Sequence, residues 1–215
     1  MGTILSELSA GIAQTVEITL ASFVVAAVLG LPLAVLRRSG SWWVRLPAVI
    51  VVEVLRAVPP IVWLFLIYYS LGSTDQVRLT TFQAAVIGLG LIYAAHLSEA
   101  YRAGLDAVPV GQWEATRALA LPRAQTYARV ILPQALVVVV PPMATFAIAL
   151  LKDSAIASVI GATDITFHAV QLTQQDLNGL GNFTVAGLLY IALGVPFALV
   201  ARAADRVLSR RLVGV

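Results

Sequence analysis

The sequence predicts an all-α integral membrane protein: five transmembrane helices, N-terminus outside, C-terminus cytoplasmic, and a short cytoplasmic helix between the third and fourth. Three observations predict it. Of the 215 residues, 60% are hydrophobic and 12% charged, and the mean hydropathy is +0.90, whereas a soluble domain carries about 25% charged residues. Five apolar stretches are long enough to cross a bilayer. Eleven of the fourteen basic residues fall in three clusters that alternate with the apolar stretches.

A span needs roughly 20 mostly apolar residues to cross about 30 Å of hydrocarbon. The first stretch is 12–36, the second 48–71, the third 82–97, the fourth 130–151 and the fifth 183–199. Backbone polar groups in lipid must be paired within the segment, so these are helices. Runs such as 21–28 lack the apolar–polar alternation of a β-barrel strand. No Lys/Arg-led start or small-residue cleavage site marks a signal peptide, so the first stretch is expected to remain a span. The absence of cysteine rules out a disulfide framework.

Orientation follows from the arginines. Arg37, Arg38 and Arg45 follow the first stretch. Arg102, Arg117, Arg123 and Arg129 lie between the third and fourth, and Arg202, Arg206, Arg210 and Arg211 follow the fifth. The opposite connections, 72–81 and 152–182, hold only Arg78 and Lys152. The basic side is expected to be the cytoplasm. Within the last connection, 154–162 is small and apolar but too short to span. It reads either as a re-entrant or buried helix or as a short surface helix. No internal repeat is visible, which weighs against carriers built from two related halves.

Between the third and fourth stretches lies a polar segment with nowhere to pack in lipid. Pro109 and Gly111 are expected to break the preceding helix. Residues 112–121 favour a helix with a small, partly apolar face of Ala115, Ala118, Leu119 and Ala120. Glu114 suits its first turns electrostatically, and Pro122 is expected to stop it. The segment reads either as a plain interfacial helix or as a docking piece for another protein.

Glu114-Ala115-Thr116, then Ala120, Val130 and Leu132-Pro133, carry the spacing of the EAA motif, and the segment resembles that motif in ABC importer permeases. Thr116, Ala120 and Val130 stand where the motif has Ala, Gly and Ile. With Ala120 in place of Gly, a left-handed turn there would be strained, and Leu121-Pro122 is expected to supply the turn. Arg56-Ala57-Val58-Pro59, Glu99-Ala100-Tyr101-Arg102-Ala103-Gly104, Ile131-Leu132-Pro133-Gln134-Ala135 and Leu150-Leu151-Lys152-Asp153-Ser154 are similar to patterns of the polar amino acid permeases.

The resemblance implies a type I ABC importer transmembrane domain over 12–205, in a bacterial inner membrane. It implies two ATPase subunits, a second permease (the same or a similar chain), an external solute-binding protein and an amino acid substrate. ATP and Mg are expected on the ATPase. This chain has no Gly-x-x-x-x-Gly-Lys-Ser/Thr loop to hold them, and no cofactor of its own, no metal site, no catalytic residue and no nucleic-acid partner are expected. Gly111, Glu114, Ala115, Ala120, Arg117 and Arg123 are the candidate ATPase-coupling residues. For both arginines, anionic lipid headgroups are an equal alternative.

Charges at membrane depth are costly and suggest function. Glu53 and Arg56, three residues apart, either pair with each other or line the substrate pathway, where Arg56 would take a substrate carboxylate. Pro59 and Pro60 are expected to bend this helix. Lys152, Asp153 and Ser154 are pathway candidates at the end of the fourth stretch, or a solvated cap. Glu99 and Arg102 read as structural, and His96 as a core residue. An ion-coupled carrier or channel for small carboxylates is the alternative function, but it leaves the docking segment unexplained. A membrane enzyme lacks the needed cluster of nucleophile, base or metal ligands.

Overall fold

The computed structural model describes residues 2–71, 73–74 and 77–213. Parts of the 72–81 connection, and the side chains of Arg206, Arg210 and Arg211, lie outside the described residues. In chain order the helices are α1 (Gly2–Ser9), α2 (Ile12–Arg37), α3 (Trp42–Ala57), α4 (Pro60–Phe65), α5 (Thr81–Asp106), α6 (Val110–Ala118), α7 (Arg123–Gln125), α8 (Leu132–Asp153), α9 (Ile165–Asp176) and α10 (Gly179–Val213). A π turn, Leu66–Leu71, prolongs α4, and another, Thr126–Ile131, joins α7 to α8. A 3-10 turn, Ser154–Ile160, follows α8. Among the described residues the only strands are β1 (Ser73–Thr74) and β2 (Val77–Arg78), an antiparallel pair.

Four continuous helical stretches are long and apolar enough to cross a membrane: Gly2–Arg37, Thr81–Asp106, Arg123–Ile160 and Gly179–Val200. The second predicted span is not one helix. It is broken between α3 and α4 by a 103° bend, and counts as a fifth crossing only if the bent pair is taken together. The cause is local. Pro59 drives Val58 out of the helical region, to φ −89° and ψ 132°, and Pro60 then starts α4 at a position that tolerates the missing N–H.

α5 runs further than its apolar pattern predicts. It starts with a capping box: Thr80 Oγ1 accepts from Gln83 N at 3.1 Å, and Gln83 Oε1 accepts from Thr80 N at 3.0 Å. It continues past residue 97 because Glu99, Arg102 and Asp106 pair along one face, with Arg102 at 2.9 Å from Glu99 and 3.2 Å from Asp106.

Lipid supplies no hydrophobic force between helices, so close packing and hydrogen bonds must hold the bundle. Ser22, Ala26, Gly30 and Ala34 recur every four residues on one face of α2, and all four are buried. This narrow seam lies against α5. A Cβ added at Gly30 would sit 3.1 Å from the Ala94 carbonyl and 3.2 Å from Leu97 and Tyr101. Ser22 lies beside Gly90, and Arg38 pairs with Asp106. The sequence offset between partners stays constant, so α2 and α5 run parallel. α8 runs antiparallel to α5: Gly104 abuts Val139 and Ala135, while Tyr93 reaches Asp153.

The far end of the bundle is closed by α1, α9 and the 3-10 turn. Leu8, Ile165 and Ala169 are buried together with Val185 and Ala186 of α10. The predicted 154–162 segment is this 3-10 turn. Ala157, Ile160 and Ala162 join the main core, so it is not a plain surface helix. Gly161, at φ 89°, ends the turn with a left-handed residue that favours glycine.

Candidate functional site

Two features stand out: a chain of charges where α2, α3 and α5 meet, and the polar connection that follows α5.

The charges centre on Glu99. Its carboxylate takes Arg37 at 2.6 Å, Arg102 at 2.9 Å and Arg56 at 3.6 Å. Glu53 adds contacts to Arg56 at 3.5 Å and Arg37 at 3.9 Å. The i,i+3 pairing of Glu53 with Arg56 is therefore present, but as part of a three-helix network. The members differ in solvation. The Arg37 side chain is 9% exposed, whereas Glu53 is 56% exposed.

From Glu99 a polar lane continues along α5. His96 lies one turn away, and its ring meets Phe146 at 5.4 Å and Tyr93 at 5.8 Å. One turn further, Tyr93 Oη donates to Asp153 Oδ2 at 2.8 Å. Lys152 is exposed and stands apart from this lane. Ser154 is buried and donates to the Leu151 carbonyl of its own helix at 2.8 Å.

After α5 the chain turns at Val108-Pro109 into α6. Gly111 does not break a helix; it sits in the first turn of α6, which starts two residues earlier than expected because Pro109 serves as N-cap. Trp113 and Thr116 face the body of the protein. Thr116 is buried, and its hydroxyl donates to the Trp113 carbonyl at 3.0 Å. The Trp113 ring meets Tyr127 edge-on at 5.6 Å and packs beside buried Val108, Ile131 and Ala135. Gly111, Glu114, Ala115, Ala118 and Leu119 are exposed.

α6 ends in a left-handed residue, and that residue is Ala120, at φ 49°. Leu121 N–H donates to the Thr116 carbonyl at 3.0 Å and Ala120 N–H to the Arg117 carbonyl at 2.9 Å, the paired bonds of a Schellman turn. The expectation that Leu121-Pro122 would supply the turn is therefore corrected. Those two bonds satisfy carbonyls at the helix end and hold Ala where Gly is ordinarily favoured. Pro122 instead starts α7 as its N-cap.

The family model for the inner membrane component of binding-protein-dependent transport systems matches residues 26–214. The chain belongs to this family. The permease is 34% identical to a probable amino-acid ABC transporter permease protein, y4tG, of Sinorhizobium fredii, over 97% of this chain and 90% of that protein. It is 32% identical to the arginine transport system permease protein ArtQ of Bacillus subtilis, over 93% and 91% of the two chains. The L-cystine transport system permease protein TcyB of the same organism is 34% identical over 94% and 87%. Among solved structures, an amino acid ABC transporter crystallised with histidines aligns with TM-score 0.84, 29% identity and 94% coverage of each chain. A methionine ABC transporter, MetNI, aligns with TM-score 0.82 at 23% identity, a likeness of fold.

The permease is thus a multi-pass inner-membrane protein. Its structure brings Glu53 and Arg56 together with Glu99 and places Asp153 against Tyr93, two turns along α5, while Lys152 is exposed and Ser154 bonds within its own helix. Sequence reasoning missed Arg37 and Tyr93, and gave Glu99 only a local role. A signal was there: Tyr93, His96 and Glu99 recur every three residues in an otherwise apolar helix, so they share one side.

Proposed function

We propose that this permease forms the translocation pathway of an ATP-driven importer for amino acids or closely related small derivatives, coupled to a separate ATPase. The observation that carries the reading is α6: a short helix anchored by Trp113 and Thr116, with a small-residue face left uncovered, on a chain whose relatives are amino-acid ABC transporter permeases. Gly111, Glu114, Ala115 and Ala120 form the coupling surface, with Arg117 and Arg123 at its edge. α6 lies on the cytoplasmic side and the N-terminus outside, in keeping with the arginine-rich connections. Residues 12–205 act as one transmembrane domain.

The partners are those that membership of the binding-protein-dependent transport family implies. ATP and Mg belong to a pair of ATPase subunits, because this chain carries no phosphate loop. A second permease, the same or a similar chain, completes the membrane part. An external solute-binding protein delivers the amino acid. Within the pathway, Arg56 is suited to a substrate carboxylate and Asp153 to a substrate ammonium, with Glu53 holding Arg56 in place. Lys152 and Ser154 flank the outer entrance. ATP-driven closure of the ATPase pair moves α6, and with it α5 and α8, between which it is strung.

The test is amino acid uptake into proteoliposomes holding the permease, its ATPase and its solute-binding protein. Uptake is expected to require ATP and to stop in Arg56→Ala. Uptake by the permease alone, independent of nucleotide, would overturn the reading.

A further inference from the structure

Beside α6 lies a pocket of about 530 Å³ lined by Trp113, Thr116, Arg117, Leu121, Arg123, Thr126 and Tyr127. Arg37, Arg38, Arg56 and Arg102 each meet a carboxylate. Among the described residues Arg117 and Arg123, like Arg45 and Arg129, meet none, but only Arg117 and Arg123 line this pocket. Two exposed guanidinium groups without a counter-ion share one concavity with two threonines and an edge-on Trp–Tyr pair.

The pocket sits at the mouth of a span. Thr126 precedes the first residue of α8 by six positions, about 9 Å of helical rise, and α8 belongs to the apolar stretch Arg123–Ile160. Trp and Tyr beside Arg at the polar end of a span are the side chains that settle at lipid headgroups. Guanidinium groups match phosphate oxygens with paired N–H donors. Ala115 lies on the far side of α6 from Arg117, whereas Glu114, three residues before Arg117, shares its side, so the pocket borders the surface proposed for the ATPase.

We propose that this pocket binds the phosphate of an anionic phospholipid headgroup, held by Arg117 and Arg123 with the glycerol region against Trp113 and Tyr127. A lipid there wedges α6 against the π turn below it and ties the position of the coupling helix to the membrane surface. The assignment rests on the import reading for the cytoplasmic placement of α6, but it is read out without ATP or uptake, so its failure leaves that reading untouched.

The experiment is native mass spectrometry of the intact transporter from nanodiscs of phosphatidylcholine mixed with phosphatidylglycerol. The wild-type complex is expected to retain phosphatidylglycerol in preference to phosphatidylcholine. The double variant Arg117→Ala/Arg123→Ala should hold it roughly thirtyfold more weakly, from two lost headgroup contacts. Arg117→Lys/Arg123→Lys, which keeps both charges, should recover part of the retention and serves if the alanine variant misassembles. Equal retention in wild type and alanine variant overturns the proposal. Loss of the ATPase from the alanine variant with lipid retention intact also overturns it, and makes the pocket an ATPase contact. Inorganic phosphate should not displace the lipid; displacement would assign the pocket to a soluble anion.

Discussion

Tyr93 and Asp153 are sixty residues apart, and the hydrogen bond between them, 2.8 Å from Oη to Oδ2, ties the middle of α5 to the last turn of α8. It holds one of the few acidic side chains of the bundle at a fixed place, pointing along the same side of α5 as His96 and Glu99. If Asp153 meets the substrate ammonium, Asp153→Asn should reduce uptake about tenfold or more, the worth of one hydrogen bond to a charged group. Tyr93→Phe should cost less, because the carboxylate survives. Transport kinetics of the two variants separate these roles. Equal losses would reduce Asp153 to a structural partner of Tyr93.

The Glu99 network gives a prediction about stability. Removing the charge of Glu99 leaves the Arg37 guanidinium, whose side chain is 9% exposed, with only the 3.9 Å contact to exposed Glu53. Glu99→Gln should therefore destabilise the fold by about 3 kcal/mol. Glu53→Gln removes a 56% exposed member and should cost under about 1 kcal/mol. Thermal unfolding in detergent compares them directly, and similar shifts would mean that burial does not rank the members of this network.

Ala120 supplies a test of opposite sign. At φ 49° it sits where a side chain is strained and glycine is not. Ala120→Gly should stabilise the end of α6 by about 1 kcal/mol, seen as slower amide hydrogen exchange at Leu121. No change in exchange would mean that the Schellman bonds already offset the strain.

Asp164 makes stability depend on pH. It is buried and caps α9, accepting from Phe167 N–H at 2.8 Å and from the Tyr190 hydroxyl at 3.2 Å. Burial pushes its carboxyl up to about 6, against those hydrogen bonds. The folded state thus holds this proton more tightly than the unfolded chain does. The stability it contributes is full below about pH 4, the unfolded value, and is lost as pH rises through about 6. Unfolding followed across this window should show a loss on the order of 2–3 kcal/mol. Asp164→Asn keeps the capping oxygen and should flatten the profile.

Coupling has its own test. Glu114 is exposed on the uncovered side of α6, so Glu114→Lys should leave assembly of the permease intact while separating ATP hydrolysis from transport. Uptake per ATP hydrolysed is the measurement. A wild-type ratio would remove Glu114 from the mechanism.

Much of this architecture could be read from hydropathy, because lipid makes long apolar runs helical. The ends of α2 fell within a residue of expectation. The break at Val58-Pro59 was visible as a bend but not as a 103° turn, because proline removes a hydrogen bond without saying where the next helix points. The extension of α5 to Asp106 was hidden, since hydropathy counts Glu99 and Arg102 as polar and cannot see that Arg37 of α2 pairs with Glu99 while Arg102 pairs with Glu99 and Asp106. The same blindness hid the partner of Asp153: its hydrogen bond goes to Tyr93, a residue that looks like packing in a linear text. Ala120 was misjudged because strain was weighed without the two bonds that offset it.

The elbow between α3 and α4 has a mechanical consequence. α2 and α5 are zipped side by side along a small-residue seam and clamped by Arg38 and Asp106, so neither can pivot alone. The arm from Pro60 to Ser70 meets α3 at a joint where the helix is broken by a 103° bend. A swing of about 10° there sweeps its tip by about 3 Å, given roughly 1.5 Å of rise per residue. Leu64 and Ile67 of that arm are buried in one core with Ala84, Ala85 and Leu89 of α5, so any swing at the elbow must carry that packing along or break it.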